Sequence, residues 1–409
     1  MRKKNYSLII IQLILLLLLF RGLLFSTCNL PSKKSINVKA SIPQYWPTNG
    51  WQTSQPEIQG MSSTKLQQLH AKIREWNFPL DSIIVVRNGY IVYEDYPRAY
   101  GENSIHVLHS VTKSFTSAIT GIAIQEGYIG SVHDPVLSYF HNRTIANIDG
   151  WKRNMTVEHL LNMMAGMEWD EWTYPYSDSR NNLIQMIISG DCVQFMLDRK
   201  MVAAPGTSWV YNTGASHLLA AIIHQTTGQT PLQYGHEVLF APLGITNVFW
   251  LSDSQDLNFG GHDLYLRPRD MAKFGFLYLH NGTWDGQQIV PEAWVTQSRE
   301  SAAIPWSGTG YGYQWWKNLD LGTFEARGLH NQWIIVDPEN NLVIIFTATD
   351  LNGVIPIFYI VEEYIRAAIG EFPTVVDVPP WEMTLTLSLI IGVPTIVAVI
   401  LLVRKRSSH

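Results

Sequence analysis

The stretch "HSVTKSFTSA" (109–118) places Ser110 three residues before Lys113. On a helix that spacing puts both side chains on one face. A serine hydroxyl becomes a nucleophile when a neighbouring group takes its proton, and an amine can do so. A serine that only caps a helix leaves the same trace. A second stretch, "PGTSWVYNTGASHLL" (205–219), sets Tyr211 between a Pro-Gly turn and a helix start, where its side chain could face a cleft. A cationic Lys113 nearby would favour the ionised phenol. That phenolate could then take the proton from Ser110; a packed loop tyrosine is the plain alternative. A third stretch, "ARGLHNQWIIVDPENNLVIIF" (326–346), brings a glycine into a strand. An edge strand can offer a backbone N–H to a developing oxyanion.

These residues need a frame, and the periodicities supply one. Residues 61–78 have helical spacing behind Ser62 or Ser63 as cap. Residues 82–96 are two apolar runs around Asn88-Gly89, a strong hairpin signal. Ser110 is expected to open an apolar helix that stops at Gly127. Residues 155–167 predict a second helix, with Thr156 as N-cap and Gly166 as terminator. Short helices are expected over 181–190 and 191–199. An amphipathic helix over 214–228 and another helix over 269–282 follow. Residues 311–318 alternate as one strand. Residues 332–349 form a hairpin across "DPENN", and 354–370 a last helix. Strands at both ends with helices between them predict one α/β domain of α+β composite type. The terminal strands would share an antiparallel sheet flanked by helices, with a helical insertion beside it.

Taken together, the three stretches resemble the serine β-lactamase and penicillin-recognising hydrolase superfamily. There a Ser-x-x-Lys opens a helix, a Tyr element follows about a hundred residues on, and a Lys/His-Thr-Gly strand comes last. Ser110-Val111-Thr112-Lys113 is similar to the first element, and Tyr211, six residues after Pro205, to the second. "TVEHLLNMMAGMEW", "LFAPLGI", "LRPRDMAKFGFLYLHNG" and "YGYQWW" also look like family phrases, so the resemblance spans roughly 60–370. Two positions depart from it. Thr213 stands where the Tyr element carries Asn, and the last strand reads Gly328-Leu329-His330-Asn331-Gln332. That strand looks like those of 6-aminohexanoate-dimer hydrolases and related esterases.

The resemblance implies Ser110 as nucleophile, Lys113 as the group that eases its deprotonation and Tyr211 as proton relay to the leaving group. It implies an oxyanion hole from the backbone N–H groups of Ser110 and Leu329. His330, Thr213 and, in the aromatic and acidic loop 168–179, Trp169 are the candidate substrate contacts. The implied activity is an esterase or small-amide hydrolase working through an acyl-enzyme. A D,D-peptidase or β-lactamase is the first alternative, and a catalytically idle binding or scaffold protein of the same fold the second.

Other chemistries lack their residues. There is no Gly-x-Ser-x-Gly elbow. "HEVLF" (236–240) lacks the second histidine of a zinc helix, and His106 with His109 lacks a third ligand. "GTGYG" (308–312) does not stand between a strand and a helix, which a phosphate loop requires. No cofactor and no metal is expected.

The ends read differently from the middle. Residues 1–28 carry Arg2, Lys3 and Lys4 ahead of an apolar run from Leu8 to Phe20, the pattern of a signal peptide or an N-terminal anchor. Thr384 to Val403 is uncharged and long enough to span a bilayer as a helix, and the basic tail 404–409 follows. Positive flanks stay cytoplasmic, so the domain between them is expected outside the cell membrane. A linker or arm (29–60), the hydrolase domain (61–370) and a second linker (371–383) complete the organisation. Residues 41–383 hold 19 Lys/Arg against 34 Asp/Glu, an acidic surface unsuited to nucleic acid. Cys28 and Cys192 are the only cysteines, so no disulfide framework exists. Sequons at Asn142, Asn154 and Asn281 fit an outside location. The expected partners are a small-molecule ester or amide and, through the C-terminal helix, a membrane.

Overall fold

Asn88 (φ 52°) and Gly89 (φ 89°) both take the left-handed region that a two-residue hairpin turn demands. They join β1 (Leu80–Arg87) to β2 (Tyr90–Asp95). The computed structural model describes residues 45–349 and 355–369. The expected signal or anchor (1–28), second linker (371–383), transmembrane helix (384–403) and tail (404–409) lie outside the described residues. Among the described residues no helix is long and apolar enough to cross a membrane.

The chain continues through β3 (His106–Val107), β4 (Phe249–Trp250), β5 (Leu264–Leu266) and the small hairpin β6 (Thr283–Trp284) and β7 (Gln287–Gln288). The late strands are β8 (Ala303–Trp306), β9 (Thr309–Gly312), β10 (Trp315–Asn318), β11 (Thr323–Gly328), β12 (Gln332–Asp337) and β13 (Leu342–Ala348). Eight strands form one antiparallel sheet in the order β2-β1-β13-β12-β11-β10-β9-β8. The N-terminal hairpin therefore joins the C-terminal meander at β1–β13, where Ile84 faces Ile345. Side chains alternate between two cores. Ile84, Val86, Val343 and Ile345 enter one. Ile83, Val85, Ile344 and Phe346 enter the other, under α1 (Ser63–Glu75) and the last helical run, residues 357–368. Ser62 caps α1 by accepting from Lys65 N at 3.3 Å.

The helical part lies between β3 and β4 in sequence. It contains α2 (Thr112–Gln125), α3 (Val157–Leu161), α4 (Asn182–Ile188), α5 (Cys192–Leu197) and α6 (Thr213–Thr227). The expected amphipathic helix at 214–228 is buried on every side from Thr213 to Ile223, because α2, α3 and α5 all pack on it. A further helix, α7 (Pro268–Leu279), lies on the sheet. Its Gly275 has no room for a Cβ, which would fall 2.6 Å from Val343 Cγ1.

Three local expectations are corrected. Ser110 does not open the helix; it sits in a 3-10 turn, His109–Val111, ahead of α2. The helix expected over 155–167 stops at Leu161, and Met163 turns to φ 57°. The following backbone pairs elsewhere, Val202 N donating to Gly166 O at 2.9 Å. The single strand expected over 311–318 is a hairpin, with Tyr313 (φ 43°) and Gln314 (φ 66°) at its tip. Gln314 is held there by tertiary contacts. Its Nε2 donates to Leu160 O at 2.9 Å, its Oε1 accepts from Ser216 Oγ at 2.7 Å, and its carbonyl accepts from Ser114 Oγ at 2.8 Å.

Candidate active site

Ser110 is placed by the strand before it. β3 pairs with β5, and Leu108 N extends the ladder by donating to Leu264 O at 2.8 Å. His109 then reverses the chain at φ 46°, a costly region for a residue with a Cβ. Lys113, in the first turn of α2, points back under the turn. Its Nζ lies 3.0 Å from Ser110 Oγ and donates to Gly261 O at 2.9 Å. Gly261 leaves the amine its place: a Cβ there would lie 2.6 Å from Thr213 Cγ2 and 3.3 Å from Lys113 Nζ.

Burial pushes the Lys113 ammonium down to about 8, against the pull of the Glu171 carboxylate. An amine in that range can shed its proton near neutral pH and accept one from a hydroxyl. Tyr211 also belongs to this group, its ring centroid 4.8 Å from Lys113 Nζ. The expectation that Lys113 would favour its phenolate is not met. Burial, then the Glu171 charge, raise the phenol above its ordinary value, and the Ser110 hydroxyl only partly opposes them. A phenol held above its ordinary value keeps its proton and can donate it.

A cavity of about 440 Å³ opens over Ser110. Tyr211, Thr213, Gly328 and Leu329 line it beside Ser110. Leu183, Ile184 and Ile187 of α4 form one wall, and Trp172, Trp306 and Trp316 an aromatic one. Arg327 also lines the cavity, but its Nε donates to buried Glu325 at 2.9 Å and its guanidinium lies 5.3 Å from the Trp316 ring centroid.

The remaining expected contacts fall in different places. Thr213 keeps its position in the wall, yet its hydroxyl donates to Glu171 Oε1 at 2.8 Å. His330 is outside the cavity lining; its ring meets His109, which does line it, edge-on at 5.0 Å. Trp169 is not part of the wall. It is buried, with Nε1 donating to Glu171 Oε2 at 2.7 Å, and Trp172 takes the exposed place.

A model of the Beta-lactamase family matches residues 67–354. The chain belongs to the β-lactamase family. It is 25% identical over 305 residues to a 6-aminohexanoate-dimer hydrolase of Paenarthrobacter ureafaciens, covering 69% of this chain and 75% of that one. A Bacillus anthracis protein to which the same hydrolase name is provisionally given superposes with a TM-score of 0.65 at 23% identity, over 78% of this chain and 87% of its own. A family VIII carboxylesterase superposes with a TM-score of 0.58 at 14% identity, over 74% and 96%. These superpositions show a shared fold, and the family match makes the chain a β-lactamase-family hydrolase homologue.

Several residues of this β-lactamase-family site escape sequence reasoning. Glu171, Trp172 and Tyr176 come from the loop 168–179, which lacks any periodicity to place it. His262 and Asp263 line the cavity with His262 Nδ1 3.0 Å from Asp263 Oδ2. The Gly260-Gly261 pair just before them was the available signal, since adjacent glycines mark close backbone approach.

Among the described residues, Cys192, His217 and Asp253 have the chemistry of a metal site, with candidate ligand atoms within 4.8 Å. Their atoms are otherwise engaged. His217 Nε2 meets Asp253 Oδ2 at 3.1 Å, and its Nδ1 accepts from Gly260 N at 3.4 Å. Cys192 Sγ donates to Met186 O at 3.3 Å, and burial pushes the thiol up to about 12. A thiol that keeps its proton is a poor ligand. Cys192 stands on α5 and His217 on α6, so the cluster lies where these two helices pack together.

Proposed function

We propose that the chain is a membrane-tethered serine hydrolase that cleaves an ester or small amide through an acyl-enzyme on Ser110. The observation that carries this reading is a buried lysine, depressed to about 8, at 3.0 Å from the serine hydroxyl. Ser110 Oγ attacks the substrate carbonyl as its proton passes to Lys113. Lys113 returns a proton through Tyr211, whose hydroxyl gives its own to the leaving group. The N–H groups of Ser110 and Leu329 receive the oxyanion; losing one such donor costs about 3–4 kcal/mol in comparable sites. Water then hydrolyses the acyl-enzyme.

The cavity walls support neutral, apolar substituents on the scissile group. Among the described residues Arg327 is the guanidinium that lines the cavity, and it is already paired with Glu325. A β-lactam or D,D-peptide carboxylate would need a free cation there, and the last strand lacks the Lys-Thr-Gly element. The tether and the outward-facing domain rest on the basic flanks of the two terminal apolar runs.

A fluorophosphonate probe with intact-mass readout tests the enzyme. One adduct is expected on the wild-type chain and none on Ser110→Ala; no adduct on either brings the binding-protein reading forward. Protease added outside intact cells is expected to digest the domain, and full protection would reverse the orientation.

A further inference from the structure

Glu171 is 3% exposed, in the loop between α3 and α4. Its Oε2 accepts from Trp169 Nε1 at 2.7 Å and from Thr213 N at 2.8 Å. Its Oε1 accepts from Thr213 Oγ1 at 2.8 Å and from Tyr176 OH at 3.1 Å. Four donors converge on two oxygens, the pattern a carboxylate satisfies and a carboxylic acid does not. Thr213 N is also one of the donors at the start of α6 that lack an acceptor within the helix, where a negative charge is favoured.

The location links three parts of the site. Tyr211 lies two residues before Thr213, so the carboxylate anchors the segment that carries the phenol. Tyr176 and Trp172, from the same loop as Glu171, line the cavity. Lys113 faces Ser110 Oγ and Gly261 O, both uncharged, and the Tyr211 ring. The other titratable groups near it are His109 and His262. Glu171 is the carboxylate whose field reaches both Lys113 and Tyr211.

We propose that Glu171 is the positioning residue of this site: it locks Tyr211 and the cavity loop together and sets the charge balance between Lys113 and Tyr211. The inference rests on the acyl-transfer reading above. The negative charge favours a proton on Lys113, which makes the amine a better acceptor for the Ser110 proton. It disfavours a phenolate, so Tyr211 keeps the proton it must donate. Net, one proton moves from Ser110 to the leaving group, and Lys113 and Tyr211 end as they began.

The test is the rate of fluorophosphonate labelling against pH for the wild type, Glu171→Gln and Glu171→Asp. The wild-type rate is expected to rise through about pH 8 as Lys113 loses its proton. His109, pushed down to about 4 by burial and by His330, and His262, also lowered by burial, lose theirs at more acid pH. In Glu171→Gln the midpoint is expected to move about one unit toward acid, and Glu171→Asp is expected to restore it. In Glu171→Gln, where the charge is removed, a midpoint that stays in place while the amplitude falls means a merely structural role and overturns the proposal. Thr213→Val covers the case in which Glu171→Gln does not fold. It removes one donor and keeps the charge, so labelling is expected to fall several-fold with the midpoint unmoved; full labelling in that variant also overturns the proposal. Failure of the enzyme reading looks different, since the wild type would then take no label at all.

Discussion

Gly328 packs so tightly against Ser110 that a Cβ on it would lie 3.3 Å from the Ser110 backbone nitrogen and 2.4 Å from Leu108 O. The end of β11 and the Ser110 turn are thus in backbone contact, as the proposed oxyanion site requires. Gly328→Ala is expected to push them apart. Overpacking of this kind costs about 1–3 kcal/mol. The expected outcome is a labelling rate at least tenfold lower, with a modest fall in melting temperature.

Burial of the Lys113 amine is expected to lower stability. Its pKa is depressed in the folded chain to about 8 from an ordinary 10.5, so between those values the unfolded chain binds more protons. Stability from this group therefore rises with pH across that window, and the cost is present in full below about pH 8. Lys113→Met relieves a penalty of roughly 3 kcal/mol, offset in part by leaving Gly261 O without its donor. The melting temperature of the variant relative to wild type is expected to be most favourable below pH 8 and to decline toward pH 10.5, with labelling abolished. A difference that does not vary with pH would contradict the buried charge.

The apolar walls set a direction for substrate preference. A buried methylene contributes about 0.8 kcal/mol, roughly fourfold in rate. For p-nitrophenyl esters, kcat/KM is expected to climb at least tenfold from acetyl to hexanoyl. Ile187→Asp, which charges the α4 wall, is expected to flatten that climb and to spare the acetyl ester. A preference for acetyl in the wild type would contradict the wall assignment.

Gln314 ties the β9–β10 hairpin to three helices. Gln314→Leu removes the donor to Leu160 O and the acceptor for Ser216 Oγ. Leu160 O keeps Met163 N at 3.3 Å, so Ser216 Oγ is the group that loses its partner, at a cost of about 1–3 kcal/mol. Urea unfolding is expected to show a clearly lower midpoint with an unchanged slope.

Much was legible from the chain alone. The 88–89 turn, the "DPENN" turn (337–341) and the apolar strands beside them announced two hairpins, which lie side by side in one sheet, because turn chemistry and apolar patterning are local properties. Ser-x-x-Lys and the Pro-Gly-bounded tyrosine likewise pointed to Ser110 and Tyr211, which the fold brings to one cavity with Leu329, and to Lys113, which it buries against them. Tertiary contacts decided the rest. Nothing local stops the 155–167 pattern at Leu161 or bends 311–318 at Gln314, since the partners that do so lie on other elements. The charge states of Lys113 and Tyr211 follow from burial and from Glu171, 58 and 40 positions away in sequence. Spacing reveals which side chains can meet; the dielectric and the counter-charge around them exist only once the chain has folded.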